Sequence, residues 1–458
     1  MDAPLRLGTL RNPVTVARYL MAGGVRAAAA TRLAERYVEA ATVLLGERGE
    51  DETAYAFFVP GRIEVLGKHT DYAGGSTLLC AVERGFCLIA TEGAGADFHV
   101  TDATTGGTVR CPLRADATPE GEPWATYVAT VARRVVRNFP GPLRGGRIAF
   151  ASDLPQAAGM SSSSALIIAL FLALDALNNL AAHPAYREHI GSPADLAQYL
   201  GTVENGRTFG TLEGDTGVGT IGGSGDHTAI LCAEPRHLRR YAYAPVRLMA
   251  TVPVPEGYSF AIAASGVVAQ KTGAAQAGYN RVSREATAIT HAWQKATGRA
   301  DPHLAAILAA PGFTSARMHT LLDSADEPPF TPEALRDRFD QFYQEEHHII
   351  PAAVEALRVE DLGAFGTLVA RSQEAAERLL KNQVEETAFL ARAARACGAV
   401  AASAFGGGFG GSVWAMIPQA HADAFLDAWA TRYTSAFPEP AQRARFFLAT
   451  PGPAAFRL

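Results

Sequence analysis

The stretch GRIAFASDLPQAAGMSSSSALIIALFLALDAL, residues 146–177, joins a strand-like segment to a long apolar helix through a loop of small residues. The segment before the loop is typical of a strand and turn, and the segment after the serines is apolar on every side, as in a buried helix. Small residues let a phosphate approach the backbone, and the first N–H groups of a helix are donors at the positive end of its dipole. The junction therefore predicts a phosphate site, with an ordinary serine cap as the alternative.

The segments around this junction alternate between helical and strand-like patterns. Apolar periodicity and turn residues predict helices at 14–46, 123–139, 193–203, 273–297 and 331–398, and strands from 54 onward, through 231, at 247–254 and at 258–264. A chain of 458 residues exceeds one ordinary core, so two domains are expected. We divide it into an N-terminal helical extension, an N-terminal domain and a C-terminal domain, at residues 1–50, 51–240 and 241–458.

Composition excludes several classes of protein. Hydrophobic residues make up 48% and charged residues 19%, which argues against disorder, and a net charge of -5 argues against nucleic acid or an anionic membrane as partner. Five cysteines without C-x-x-C spacing suggest neither a disulfide framework nor a zinc site. The apolar run at 165–174 is too short for a membrane span, and the N-terminus lacks a signal-peptide core. We expect a cytoplasmic monomer or weak homo-oligomer.

Two further stretches and two isolated carboxylates carry candidate chemistry. VPGRIEVLGKHTDYAGGS, residues 59–76, concentrates charges in a turn-rich segment, but its glycine spacing and the His after the Lys do not fit a Walker A loop. AFGGGFGGSVWAMI, residues 404–417, contains G-x-G-x-x-G, but a strand rather than a helix follows, so we predict a hairpin or a close backbone approach. Glu204 and Asp226 lie between these stretches; taken alone, an aspartate after a glycine-rich turn, such as Asp226, is more often a cap or an Asx turn than a catalyst.

The three stretches in this order resemble the GHMP kinases, specifically the galactokinase branch, over residues 55–430. The most specific element is G-R-x-x-x-x-G-x-H-T-D-Y at Gly61 to Tyr72. The resemblance implies a two-domain α+β fold, with a ribosomal-protein-S5-like N-terminal domain and a C-terminal α+β domain. It further implies that ATP, with Mg²⁺, and a small-molecule sugar bind in the cleft between the domains.

The resemblance also implies roles for individual residues. Asp226 and Arg62 would be catalytic, although His227 follows Asp226 where the family has Gln. The phosphates of ATP would contact Gly159, Ser161, Ser162, Ser163 and Ser164, and Mg²⁺ would be held by Ser163 and Glu204. The sugar would contact Lys68, His69, Asp71, Gly223 and Tyr279.

Two departures from the family signature bear on the substrate. Glu64 stands where the family has Asn, and Lys68 stands where the family has the Glu that contacts the C6 hydroxyl of the sugar. Lys68 could pair with a carboxylate at C6, as in galacturonate, or could form an ion pair with Glu64 inside the loop. An extra helical segment at 293–340 also marks a divergent member.

The leading hypothesis is an ATP-dependent kinase that phosphorylates the anomeric hydroxyl of galactose or of a C6-modified galactose. The alternatives are a galacturonate 1-kinase and a catalytically silent sugar sensor. Mevalonate-type or homoserine-type alcohols are disfavoured, because closely spaced His69 and Asp71 suit a polyhydroxylated ring better than an apolar chain.

Overall fold

A computed structural model describes residues 4–155, 159–267 and 274–458. Residues 156–158 of the predicted phosphate loop, and residue 273 of the predicted helix 273–297, lie outside the described residues. The strands are β1 Leu5–Arg6, β2 Thr53–Leu66, β3 Ser76–Glu92, β4 Asp97–Asp102, β5 Thr108–Pro112, β6 Gly146–Ser152, β7 His237–Ala242, β8 Arg247–Pro253, β9 Tyr258–Ala264, β10 Ala401–Phe405, β11 Ser412–Pro418, β12 Arg445–Ala449 and β13 Phe456–Arg457.

The helices cover most of the remaining chain. They are α1 Pro13–Ala22, α2 Ala27–Leu45, α3 Ala125–Asn138, α4 Ser162–Asn178, α5 Pro184–His189, α6 Pro193–Asn205, α7 Gly225–Leu231, α8 Ala274–Thr297, α9 Leu304–Leu308, α10 Ser315–Asp323, α11 Pro332–Gln344, α12 Ile350–Arg358, α13 Leu362–Ala375, α14 Glu385–Ala396, α15 Ala422–Ala436 and α16 Pro438–Ala441. The turn Glu345–Ile349 between α11 and α12 is π-helical.

The described strands form two sheets. In the first, the order is β1-β2-β3-β6-β4-β5, while β7 pairs with β3, β8 with β7 and β13 with β2. The long strand β3 pairs with β7 through its first half and with β6 through its second half. In the second sheet, the order is β10-β11-β9-β12, and all of its pairs are antiparallel. The predicted α+β class is confirmed.

Both faces of the first sheet are buried, because its strands alternate between two cores. On β3, Cys87 and Ile89 pack with α1 and α2, whereas Leu88 and Ala90 pack on the opposite face with α3 and α4. This is the period-2 alternation of a strand with helices on each side. Residues 1–50 were expected to form an extension; their helices instead supply one of the two layers that bury the sheet.

The glycine-rich stretch near the C-terminus forms the predicted hairpin. Ala401–Phe405 and Ser412–Pro418 pair antiparallel, and the glycines make the turn between them. Because Ser412 begins a strand rather than a helix, the turn does not present a helix N-terminus, and the decision against a dinucleotide fold is supported.

The prediction of a strand through Leu231 is wrong. Residues Gly225–Leu231 form the short helix α7, since a brief apolar run fits a buried helix as well as a strand. The expected boundary near residue 240 falls inside β7, and the β7–β8 hairpin pairs with the first sheet. We propose that the first domain extends to Pro253.

The extra helical segment folds as a cluster of its own. Helices α9, α10 and α11 pack on α8 around Trp293 and Phe339, which are fully buried. Within the described ranges, the chain has no helix with the length and apolar character that a membrane crossing requires.

Candidate active site

A cavity of about 750 Å³ lies between the first sheet and the glycine turn of the β10–β11 hairpin. Its wall combines the end of β2, the start of α4, the end of α6, the start of α7 and the β10–β11 turn. The predicted site residues that line it are Arg62, His69, Asp71, Gly159, Ser161, Ser162, Ser163, Ser164, Glu204, Gly223, Asp226 and Tyr279. Lys68 is the one predicted site residue that does not line this cavity.

Arg62 and Asp226 meet although 164 positions separate them in the sequence. The Nε and Nη2 atoms of Arg62 each lie 2.8 Å from Oδ1 of Asp226, and Nη1 donates to the carbonyl of Gly159. Burial alone would lower the pKa of Arg62, but the charges of Asp226 and Glu64 overcome this effect and raise it. The pair is thus a cation bonded to a carboxylate, and through Gly159 it contacts the loop that leads into the serines of α4.

The serine loop enters α4 through a strained residue. Ser161 has a φ of 61°, a left-handed conformation that is uncommon outside glycine, and Gly159 before it has a φ of 70°. The buried Oγ of Ser161 has no hydrogen-bond partner among the described residues. A buried hydroxyl without a partner is costly, so an anion with acceptor oxygens would complete this end of the cavity.

Glu204 accepts hydrogen bonds from the last two serines of the run, Ser163 and Ser164. Its carboxylate accepts hydrogen bonds from Ser164 Oγ at 2.7 Å and from Ser163 Oγ at 3.4 Å, and Nε2 of His227 lies 3.3 Å from its Oε2. The oxygen atoms of Ser163, Ser164 and Glu204 are ligands of the kind that Mg²⁺ prefers, and a bound Mg²⁺ keeps several waters and also contacts phosphate oxygens. Among the described residues, no group of three or more His, Cys, Asp or Glu side chains is arranged to hold a metal ion.

His69 is buried as a neutral ring, and both of its ring nitrogens have protein partners. Its Nε2–H donates to the carbonyl of Gly407 at 3.0 Å, and the hydroxyl of Tyr72 donates to its Nδ1 at 2.9 Å. Burial lowers the pKa of His69 to about 4. Since both ring nitrogens have protein partners, His69 forms part of the cavity wall and connects it to the glycine turn.

Asp71 is positioned by the glycines that precede α7. Its Oδ2 accepts from the backbone N–H of Gly225 at 2.9 Å, and a Cβ atom on Gly223 would collide with the Asp71 carboxylate. Burial raises the pKa of Asp71, and the N–H groups that it accepts from oppose this. The glycine at 223 is therefore required by the close approach of a carboxylate.

Tyr279 reaches the same end of the cavity from α8. Its ring lies 5.1 Å from the ring of His69, centroid to centroid. A Cβ atom on Gly407 would lie 2.7 Å from Cδ2 of Tyr279, so the glycine turn makes room for this ring.

Lys68 points away from the cavity. Its Nζ donates to Ser403 Oγ at 2.8 Å and lies 3.5 Å from Ser372 Oγ, so the side chain reaches β10 and α13 of the C-terminal half. Burial lowers the pKa of Lys68, and the carboxylates of Glu345 and Glu64 oppose this. The expected substrate contact and the alternative Lys68–Glu64 ion pair are both replaced by a bridge between the two halves of the chain.

The backbone of the same loop is held by the helices of the C-terminal half. Glu345 accepts from the N–H of Gly67 at 2.7 Å, and Glu346 accepts from the N–H of Ser76 at 2.6 Å. Arg338 donates to the carbonyl of His69 at 2.6 Å. These buried contacts explain how a turn-rich segment holds a single conformation.

Glu64 lines the cavity, whereas Lys68 does not. It stands two residues after Arg62 on β2, and alternate residues of a strand share a face. Its Oε1 is buried without a hydrogen-bond partner among the described residues, and burial raises the pKa of Glu64 to about 7. Sequence reasoning treated Glu64 only as a partner for Lys68; the period-2 relation to Arg62 was the signal that could have found it.

An aromatic wall at the other end of the cavity was also missed. Trp124, Tyr127 and Phe150 line it, and the rings of Trp124 and Phe150 meet edge to face at 5.5 Å. Aromatic residues on a helix and a strand are usually core, so nothing in the sequence separated these from ordinary packing.

Comparison with known proteins supports one family. Residues 47–92 match the galactokinase galactose-binding signature, residues 126–234 the GHMP kinases N-terminal domain and residues 353–435 the GHMP kinases C-terminal domain. Together the three segments cover just over half of the chain.

Related sequences and structures agree. A galactokinase of Glaesserella parasuis is 24% identical over 378 residues, covering 82% of this chain and 88% of the relative, and one of Dictyostelium discoideum is 23% identical, covering 85% and 86%. The crystal structure of a Lactococcus lactis galactokinase with galactose superposes with a TM-score of 0.72 at 22% identity, covering 88% of this chain and 95% of the other. The chain belongs to the GHMP kinases, in their galactokinase-like branch.

Proposed function

We propose that this protein is an ATP- and Mg²⁺-dependent sugar kinase that transfers a phosphoryl group to the anomeric hydroxyl of galactose or of a C6-modified galactose. The observation that carries the proposal is the Arg62–Asp226 pair, 2.8 Å apart, in the same cavity as the serine-lined start of α4 and the signature loop. Had these groups been far apart, or had no cavity joined them to Ser163, the hypothesis would have been abandoned.

The cavity has room for both substrates. In this proposal the nucleoside of ATP lies against Trp124, Tyr127 and Phe150, and its phosphates lie on the serine loop. Ser163 and Glu204 would hold Mg²⁺, which when bound offsets negative charge on the phosphate oxygens. The sugar lies at the end lined by Asp71 and Tyr279, next to Asp226.

The transfer needs little covalent chemistry from the protein. Asp226 accepts a hydrogen bond from the C1 hydroxyl and receives its proton as the oxygen bonds to the γ-phosphorus. The bond from that phosphorus to the bridging oxygen breaks, and ADP leaves. Arg62, kept charged by its carboxylate neighbours, stabilises the phosphate oxygens in the transition state.

Galacturonate is the less favoured substrate within the same class. The lysine that was expected to meet a C6 carboxylate donates instead to Ser403, and it does not line the cavity. A silent sugar sensor would share the fold and would need neither Asp226 nor its pairing with Arg62, which makes turnover the discriminating property.

The experiment measures ADP release by the purified protein with ATP, Mg²⁺ and a panel of galactose, galacturonate, glucuronate and arabinose. We expect release that depends on galactose, with phosphate at C1 identified by phosphorus NMR. Asp226→Asn should lower kcat by about 10²–10⁴-fold, because the amide cannot take up the proton.

The matched control is Asp215→Asn, which alters another buried Arg–Asp pair, 3.0 Å from Arg133, outside the cavity. It should leave kcat close to the parent value. Binding of ATP and sugar without sugar-dependent ADP release would establish the sensor in place of the kinase.

A further inference from the structure

Glu64 lies on the cavity wall as a half-buried residue, and the Oε1 atom of its carboxyl group is buried. Its Oε1 has no hydrogen-bond partner in the described part of the chain, although it is removed from bulk water. Buried polar atoms in native proteins are nearly always bonded, and those left open at a cavity wall are completed by what the cavity binds.

The charges around Glu64 are mostly acidic. Of the described residues lining the cavity, Arg62 is the only Lys or Arg, and its guanidinium already serves Asp226 and Gly159. Burial raises the pKa of Glu64, the charges of Arg62 and Lys68 oppose this, and Asp226 and Asp71 add to it; the ammonium of Lys68 itself is bonded to Ser403. A sugar with a carboxylate group next to Glu64 would be repelled by these acidic side chains. Among the described lining residues it would find no Lys or Arg apart from Arg62, which is already bonded.

We propose that Glu64 determines which sugars the site accepts: its Oε1 accepts a hydrogen bond from a donor substituent of the sugar, a hydroxyl or an ammonium, so that neutral and amino hexoses are admitted and uronic acids are rejected. This inference rests on the proposed sugar-kinase function. It assigns to Glu64 the discrimination between sugars that the sequence analysis expected from Lys68.

An ammonium group is the most favourable partner by this argument. A hydrogen bond between an ammonium and a carboxylate is shorter and stronger than one between neutral groups. A hydroxyl group also donates a hydrogen bond to this oxygen, but it lacks the positive charge that strengthens the bond from an ammonium. A carboxylate substituent offers only acceptors at neutral pH, and it faces Glu64, Asp71 and Asp226 together.

The test compares the parent protein with Glu64→Gln, which keeps the shape and an acceptor oxygen but removes the charge. Isothermal titration at about pH 7.5, above the pKa of about 7 of Glu64, measures binding of galactose, galactosamine and galacturonate in the presence of a non-hydrolysable ATP analogue, and kcat/KM is measured for the same sugars. We expect the parent to bind galacturonate at least about tenfold more weakly than galactose, the difference of roughly one charged contact. Glu64→Gln should reduce the galactosamine-to-galactose affinity ratio about tenfold and should narrow the penalty against galacturonate.

Two further variants guard against a trivial result. Glu64→Asp keeps the charge and should retain rejection of galacturonate, even if the shorter side chain weakens all three sugars. Glu83→Gln removes a buried carboxylate from β3, where it bonds Arg26 outside the cavity, and should leave the ratios unchanged.

The outcomes separate this inference from the function on which it rests. If the parent turns over sugars while Glu64→Gln leaves the ratios unchanged, or if the parent binds galacturonate as well as galactose, the role of Glu64 is overturned and the kinase stands. If no sugar binds or supports ADP release, the proposed function fails and the role of Glu64 fails with it.

Discussion

At the scale of single residues, burial shifts the pKa values of two groups on the same cavity wall in opposite directions. It raises the pKa of Glu64 from 4.5 to about 7 and lowers the pKa of His69 from 6.5 to about 4. Folded Glu64 retains a proton that the unfolded chain releases between these values, so its contribution to stability falls as the pH rises through that range. Folded His69 resists a proton that the unfolded chain takes up, so its contribution falls as the pH falls below 6.5.

The first prediction concerns the contribution of Glu64 to stability as the pH changes. Glu64→Gln removes the group whose destabilising effect grows from pH 4.5 to about 7, so the melting temperature of the variant should gain on that of the parent as the pH rises across that interval. Above it the difference should level off. Differential scanning calorimetry at a series of pH values measures this. A constant difference from about pH 5 to 8 would show that folding does not raise the pKa of Glu64.

At the scale of elements, the site depends on loops held by distant helices. The signature loop is turn-rich, yet Glu345 and Glu346 of the π-helical turn bond its backbone N–H groups. The loop before α7 presses against it closely enough that only glycine fits at 223. The conformation of the sugar end is therefore set by contacts between elements, not by local propensity.

The second prediction concerns this close approach. Gly223→Ala places a methyl group where the Asp71 carboxylate lies, so Asp71 and the start of α7 must shift. Displacements of about 1 Å near a reacting group can cost about 10²-fold, and we expect a loss of that order in kcat/KM. Gly49→Ala is the control, since a Cβ there meets no atom within 4 Å. Equal activity of the two variants would remove Asp71 from the proposed sugar site.

At the scale of the whole molecule, the cavity is assembled from segments far apart in sequence. Arg62 comes from β2, Asp226 from α7 and the glycine turn from the second sheet. The N-terminal helices contribute indirectly, because Leu33 and Tyr37 of α2 bury the face of the first sheet opposite α4. The scaffold that carries Arg62 is thus completed by residues that sequence reasoning set aside as an extension.

The third prediction tests whether these helices are integral. Leu33 is fully buried, so Leu33→Ala should lower the free energy of unfolding by about 2–5 kcal/mol, the usual cost of such a core truncation. Val14→Ala on α1 is the control, because Val14 is 60% exposed and surface changes usually stay within about 0.5 kcal/mol. Urea unfolding followed by circular dichroism compares them. An unchanged transition for Leu33→Ala would mean that α2 is a detachable extension after all.

Local patterns were sufficient for much of the architecture. The buried helix α4 after its serines, the glycine hairpin and the strand starting at Ser412 follow from side-chain periodicity and turn chemistry, which act over a few residues. The same short range explains the error at Gly225–Leu231, since a brief apolar run does not distinguish a strand from a helix.

The amino-acid sequence by itself determined the class of fold, the order of the three motifs and twelve of the residues that line the cavity, because spacing and residue type are written along the chain. Only the tertiary structure decided which charged side chain of the signature loop meets the cavity. Lys68 donates a hydrogen bond to Ser403, which lies more than 300 positions away in the sequence, and the Oε1 atom of Glu64 has no hydrogen-bond partner among the described residues. Both arrangements depend on which groups folding brings within a few ångströms, and that distance is not encoded in any local pattern.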